Sequence, residues 1–112
     1  MVRPIPGQKK FGSLAEKIYS RAVPVQFTIL GSGSGGNCAY LETDEVRLLI
    51  DAGFSGRQIR QRLATLSRGP ENLTGILITH EHSDHISGLV GLAAKLNLPI
   101  YCNRQTREAI EA

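Results

Sequence analysis

All three histidines of the chain, His80, His82 and His85, fall within the stretch ITHEHSDHISG at residues 78–88, with Asp84 among them. Residues 75–79 just before it are a short apolar run that reads as a buried strand. Ile86, Leu89, Val90, Ala93 and Leu96 follow at helical spacing until Asn97 and Pro99. The chain must therefore leave a strand, form a polar elbow and enter a helix within a few residues. Alternate side chains of an extended segment share a face, so His80 and His82 point the same way and can share one ion. Asp84 and His85 come at the mouth of the helix, where the turning chain aims an oxygen and a nitrogen at a neighbouring point. Neutral imidazole and carboxylate suit zinc, and also manganese or iron, and catalytic sites of this kind keep a position for water that ionises near neutral pH. His80, His82, Asp84 and His85 are thus candidate ligands of divalent metal. The interleaved Glu81 and Ser83 are expected to point away.

The elements around the elbow are those of an α/β (α+β) domain. Strands are expected at residues 25–30, 38–43 and 46–50, the last two joined tightly through Asp44 and Glu45, which makes an antiparallel opening. Ser55 can cap a helix whose Ile59, Leu63 and Leu66 form a stripe up to Gly69 and Pro70. Its Arg57, Arg60 and Arg62 read as a solvated face rather than a phosphate-binding one. A further strand is expected at residues 99–102 and a helix from Thr106. Asp51 closes the third strand. A carboxylate there is either a turn or capping residue, or a partner for the second ring nitrogen of a ligand histidine.

Gly31, Gly33 and Gly36 in GSGSGGN satisfy G-x-G-x-x-G after a strand, and Asp51 lies at a dinucleotide-like distance beyond. The context is wrong for a nucleotide. That motif opens a helix at its third glycine, whereas residues 38–50 are β-branched, aromatic and turn-like, and Asn37 stands where a phosphate-binding loop has lysine. The stretch is a tight glycine connection between strands, or a loop whose bare backbone lets a substrate approach, with Ser32, Ser34 and Asn37 as its polar candidates.

The 112 residues allow one small domain or part of one, and no apolar run is long enough to span a membrane. The sequence carries no secretory signal and only two cysteines, Cys38 and Cys102, without paired metal spacing, so a reducing, cytoplasmic setting is expected. Net charge is +3, concentrated in residues 1–24, where Arg3, Lys9, Lys10, Lys17 and Arg21 face only Glu16. Residues 1–24 read as a basic leader, partly disordered, with a weak helical pattern at Phe11, Leu14, Ala15 and Ile18 before Pro24. The ordered domain is expected to begin at Val25.

The glycine loop after a first strand, LLIDAG around Asp51, and THEHSDHISG with Gly88 together resemble the first half of a metallo-β-lactamase-fold hydrolase. Within that superfamily LGSGSGGNCAYLET, LLIDAGFSGRQIRQRL and ITHEHSDHISGL are most similar to the YycJ/WalJ-type branch of bacterial phosphodiesterases acting on DNA. The resemblance runs from Val25 to the last residue. It implies an αββα sandwich, of which residues 25–112 would be the N-terminal half, truncated at the C-terminus. It implies two divalent metal ions, zinc or manganese, with His80 and His82 on the first, Asp84 and His85 on the second, and Asp84 also near the nucleophilic water as a catalytic residue. The substrate implied is nucleic acid; a thioester, lactone or β-lactam is the alternative for the same ions. The family completes its site with a further histidine, a bridging aspartate and a last histidine, and no histidine or aspartate follows His85 here. Residues 1–112 alone are therefore expected to be an inactive or merely metal-binding piece.

Overall fold

The computed structural model describes residues 25–112. The helical pattern between Phe11 and Ile18 and the basic leader lie outside the described residues. Strands β1 (Gln26–Gly31), β2 (Cys38–Glu42) and β3 (Arg47–Ile50) form an antiparallel meander. Strands β4 (Gly75–Leu77) and β5 (Ile100–Tyr101) then add in parallel, giving one sheet in the order β1-β2-β3-β4-β5. Connection length explains the switch. The turn at Asp44 and Glu45 can only reverse the chain, whereas helix α1 (Gly56–Ala64) fills the crossover from β3 to β4. Thr43, expected in the second strand, belongs to the turn: its Oγ1 accepts from the amides of Glu45 (3.3 Å) and Val46 (3.1 Å).

Alternation along the strands sends Leu30, Cys38, Tyr40, Leu49 and Ile76 to one face, where they meet Ile59 and Leu63 of α1 and Leu89 and Leu92. Leu49, Ile59, Leu63, Ile76 and Leu89 are fully enclosed, and burying each such side chain contributes roughly 1.5–3 kcal/mol. Ser55 caps α1 as expected, through a reciprocal pair: its Oγ accepts from the Gln58 amide at 3.2 Å, and its own amide donates to Gln58 Oε1 at 3.3 Å. The opposite sheet face is apolar too. Phe27, Leu41 and Leu48 form one row, and Ile29, Ala39, Ile50, Leu77 and Tyr101 the next. Among the described residues no second sheet covers it, and Phe27, Ile29 and Tyr101 are all exposed.

Two expectations need correction. The stripe from Ile86 to Leu96 is not one helix but two, α2 (Ser83–Ile86) and α3 (Leu89–Leu96). In an unbroken helix the Gly88 amide would bond to the Asp84 carbonyl. Instead it donates to the Ala52 carbonyl at 2.8 Å, and the Asp84 carbonyl accepts from the Asn37 amide at 2.7 Å. Long-range partners have taken both ends of the bond. The break resets the helical phase, so Leu92 is buried while Val90 stands 70% exposed. The second correction concerns α1. Arg57 is exposed and Arg60 pairs with the exposed Glu71, but Arg62 is half-buried. It lies over the Phe54 ring, 3.9 Å from the centroid, and donates to the Leu30 carbonyl at 2.6 Å. Its stem covers apolar surface while its head finds a ring face and a strand-end carbonyl. Helix α4 (Arg104–Glu111) starts earlier than Thr106, capped by Asn103 Oδ1 accepting from the Thr106 amide at 2.8 Å.

Both Cys38 and Cys102 are free thiols. Burial, reinforced by the Asp51 charge, pushes the Cys38 thiol up to about 12, so it stays protonated and unreactive at neutral pH. At the far end of β2, Glu42 takes a two-pronged pair from Arg68 (2.6 and 3.0 Å) and a hydrogen bond from the Tyr40 hydroxyl. The Arg68 hydrogen bonds first, then Tyr40, hold its carboxyl down to about 2 against an ordinary 4.5. A carboxyl depressed in the folded state stabilises fully above its unfolded value and loses that contribution as pH falls towards the folded one. The stability gap between wild type and Glu42→Gln should therefore be constant at pH 5 and above and should narrow as pH drops from 4.5 towards 2. Urea midpoints across that range measure it; a gap that stays flat down to the acid end contradicts the argument.

Candidate metal centre

The site grows from the ends of β3 and β4, which lie side by side because the two strands are parallel. The Asp51 amide continues the ladder onto the Leu77 carbonyl at 2.7 Å, after which its backbone swings into the left-handed region at φ 64° and turns its side chain inward. Asp51 is buried and fully engaged. Its Oδ1 accepts from the Thr79 amide at 2.8 Å, and its Oδ2 accepts from Thr79 Oγ1 and from His85 Nδ1, each at 2.7 Å. An ionised carboxylate only accepts, so the His85 proton sits on Nδ1 and its Nε2 is left with a lone pair.

Thr79 extends the same logic to a second histidine. Its single hydroxyl hydrogen goes to Asp51, so towards His80 Nδ1, 3.0 Å away, it can only accept. His80 therefore also carries its proton on Nδ1 and offers Nε2. The rings gather closely: the His80 centroid is 3.7 Å from that of His85 and 4.7 Å from that of His82. Asp84 Oδ2 lies 3.9 Å from His85 Nε2. The four candidate ligands His80, His82, Asp84 and His85 thus share one polar elbow, with Asp51 behind them; His82 is exposed, as are Glu81 and Ser83, and the other three are half-buried.

The donor chemistry fits a divalent cation. Two imidazole nitrogens are freed for coordination by hydrogen bonds to the other ring nitrogen, and a carboxylate stands beside one of them. Among the described residues no three His, Cys, Asp or Glu side chains converge tightly enough to cage one ion.

Asn37 reaches the centre from the glycine loop, its Nδ2 lying 3.2 Å from Asp84 Oδ2, while Ser32 and Ser34 are exposed on the loop. Sequence reasoning gave no part to Thr79 or Gly53. The threonine carries no signal alone, since its partners lie in distant segments. For Gly53 the cue was its place just after Asp51. A Cβ there would sit 1.9 Å from the Asp84 carbonyl oxygen and 2.5 Å from the Asn37 amide nitrogen, so three backbones meet at a point that only glycine permits.

With the geometry in hand, the family is plain: the model of the metallo-beta-lactamase superfamily matches residues 31–111, and the chain belongs to that superfamily. Among its relatives, the exodeoxyribonuclease WalJ of Streptococcus pneumoniae serotype 2 is 52% identical over 86 residues, covering 77% of this chain and 32% of the relative. The exodeoxyribonuclease YycJ of Bacillus anthracis is 47% identical over 87 residues, covering 78% and 33%. The chain spans about a third of the length of these curated relatives. Solved structures show the same fold. A Cronobacter sakazakii metallo-beta-lactamase with a HARLDQ motif matches at TM-score 0.64, with 24% identity over 77% of this chain and 34% of that one. A B3 metallo-beta-lactamase with an active-site glutamic acid matches at TM-score 0.67, with 22% identity over 98% and 41%. No helix among the described residues is long and apolar enough to cross a membrane.

Gly53→Ala is expected to destabilise by ~1–3 kcal/mol or more, because its Cβ has only backbone to push against. Gly91→Ala on α3 is the control. Nothing lies within 4 Å of its added Cβ, and a helical Gly→Ala gains ~0.5–1 kcal/mol. Denaturant unfolding of the two variants measures the contrast, and a Gly53→Ala chain as stable as wild type would show that the three backbones do not meet as described.

Proposed function

We propose that the protein is a metal-dependent hydrolase of phosphodiester bonds acting on DNA, with two divalent ions, zinc or manganese. His80 and His82 would hold one, and Asp84 and His85 the other. The observation that carries this reading is the donor elbow itself, buttressed by Asp51 and Thr79, in a chain about half identical to proteins named exodeoxyribonucleases. When bound, such ions acidify a water molecule and draw charge from the phosphoryl oxygens. The chain's own residues do the rest. Asp51 fixes the proton of His85 on Nδ1 directly and that of His80 through Thr79, so both rings would offer Nε2 to a cation. Asp84 would add a carboxylate to the second ion's ligands and lie near the nucleophilic water. On this reading residues 25–112 form the N-terminal portion of the catalytic domain and residues 1–24 a basic leader.

A second reading, hydrolysis of a β-lactam, thioester or lactone, draws support from a subclass B3 metallo-beta-lactamase from a soil metagenome. That structure is 26% identical to this chain at TM-score 0.64, covering 79% of this chain and 34% of that one. The donors position a nucleophile without naming its target.

Replacing His80 and His82 together with alanine should remove most bound zinc or manganese, read by elemental analysis after dialysis. Two donors per ion hold it loosely, so residues 1–112 alone should cleave poorly. The protein carrying the further donors should open a bis-aryl phosphodiester and DNA in a chelator-sensitive reaction that Asp84→Ala abolishes. Unchanged metal content in the double variant would sink the ligand assignment, and a protein that opens thioesters or β-lactams but no phosphodiester would transfer it to the second reading.

A further inference from the structure

The glycine loop at residues 31–37 is held at both ends. At its start, Arg62 donates to the Leu30 carbonyl and the Phe54 ring packs so closely that a Cβ on Gly31 or Gly36 would meet it at 2.4 or 2.6 Å. At its end, the Asn37 side chain folds back over the loop. Its Oδ1 accepts from the Gly33 amide at 3.0 Å and its Nδ2 donates to the Gly33 carbonyl at 2.8 Å. The same Nδ2 lies 3.2 Å from both the Asp84 carbonyl and Asp84 Oδ2. The backbone completes the clasp: the Asn37 amide donates to the Asp84 carbonyl at 2.7 Å, and the Asn37 carbonyl accepts from Gly53 at 2.9 Å.

An amide nitrogen has two hydrogens, and here three acceptors compete for them. Asn37 keeps no free donor for a substrate, and its oxygen already accepts from Gly33. Its side chain therefore faces inward, onto Asp84. Among the described residues it supplies the one N–H within hydrogen-bond distance of the Asp84 carboxylate. A donor on one carboxylate oxygen restrains rotation of the group and leaves lone pairs on both oxygens for a cation.

We propose that Asn37 is a positioning residue: it ties the glycine loop to Asp84 and fixes the orientation in which that carboxylate meets the metal. The inference rests on the metal-dependent reading above.

The test is metal uptake by the 112-residue chain, titrated with manganese or zinc against a chromophoric chelator, alongside the melting temperature of the metal-free chain. Loss of a group that orients a ligand typically costs ~10–100-fold in metal affinity, and Asn37→Ala should fall in that range. Asn37→Gln, which keeps the amide donor on a longer arm, should recover part of the loss. Arg62→Ala loosens the same loop from its other end without touching Asp84; it should lower the melting temperature and leave metal affinity at the wild-type value. Wild-type affinity in Asn37→Ala overturns the inference while leaving the metal-dependent reading intact. So do equal affinity losses in Asn37→Ala and Arg62→Ala, which would mark Asn37 as merely structural. A wild-type chain that takes up no metal overturns the inference for this chain, and the metal-dependent reading then stands or falls on the protein carrying the further donors.

Discussion

The buried carboxylate of Asp51 ties together, side chain to side chain, segments that the β3–β4 ladder and the backbone bonds of Ala52 already bring side by side. It receives the Thr79 amide and hydroxyl from the end of β4 and the imidazole of His85 from α2. Burying a charged group is costly unless every lone pair is addressed, and a non-glycine residue with positive φ adds of order 1 kcal/mol. Hydrogen bonds to a charged acceptor contribute ~1.5–3 kcal/mol each, and Asp51 accepts three that work against these costs. Remove the carboxylate and the Thr79 amide, its hydroxyl and His85 Nδ1 all lose their partner together, and the two histidine tautomers are no longer specified.

Glycine does complementary work by letting backbones touch. At Gly53 the chain passes against Asp84 and Asn37, and at Gly88 against the Phe54 carbonyl, where a Cβ would come within 2.0 Å. These contacts let the Gly88 amide leave its helical partner for Ala52, and let the Ala52 amide take the His85 carbonyl at 2.7 Å. The break between α2 and α3 is thus imposed from outside the helix. It frees residues 83–86 to form a separate turn that presents Asp84 and His85 instead of continuing the core-facing stripe.

The clustering was legible in the sequence because it is local: three histidines and an aspartate within six residues fall in one elbow by spacing alone. The strands were legible from β-branched and apolar runs, and α1 from its cap and stripe. What escaped depends on partners far along the chain. Val90 looks like a core residue until the Gly88 bond to Ala52 shifts the helical phase. Arg62 looks solvated until Phe54 and the Leu30 carbonyl are seen beneath it. Thr79 is one more strand residue until Asp51 arrives from β3. Asn37 was visible as a polar residue of a glycine loop, but the direction of its amide is set by Asp84, 47 positions away.

Topology explains why these distant pieces meet. β3 and β4 are parallel, so Asp51 and Thr79 leave the sheet at the same edge. β1 is antiparallel to β2, which is antiparallel to β3, so β1 runs the same way as β3 and its exit, the glycine loop, opens at that edge too. Three connections therefore converge on the carboxyl ends of three like-directed strands, where parallel sheets commonly build their sites. An antiparallel β4 would carry its histidines to the far edge, away from both Asp51 and the loop. The crossover through α1 is what makes β4 parallel, so a helix that contributes no donor decides whether the donors can assemble at all. Substrate preference is then free to vary in loops that the sheet only anchors, consistent with one fold serving proteins named both as nucleases and as β-lactamases.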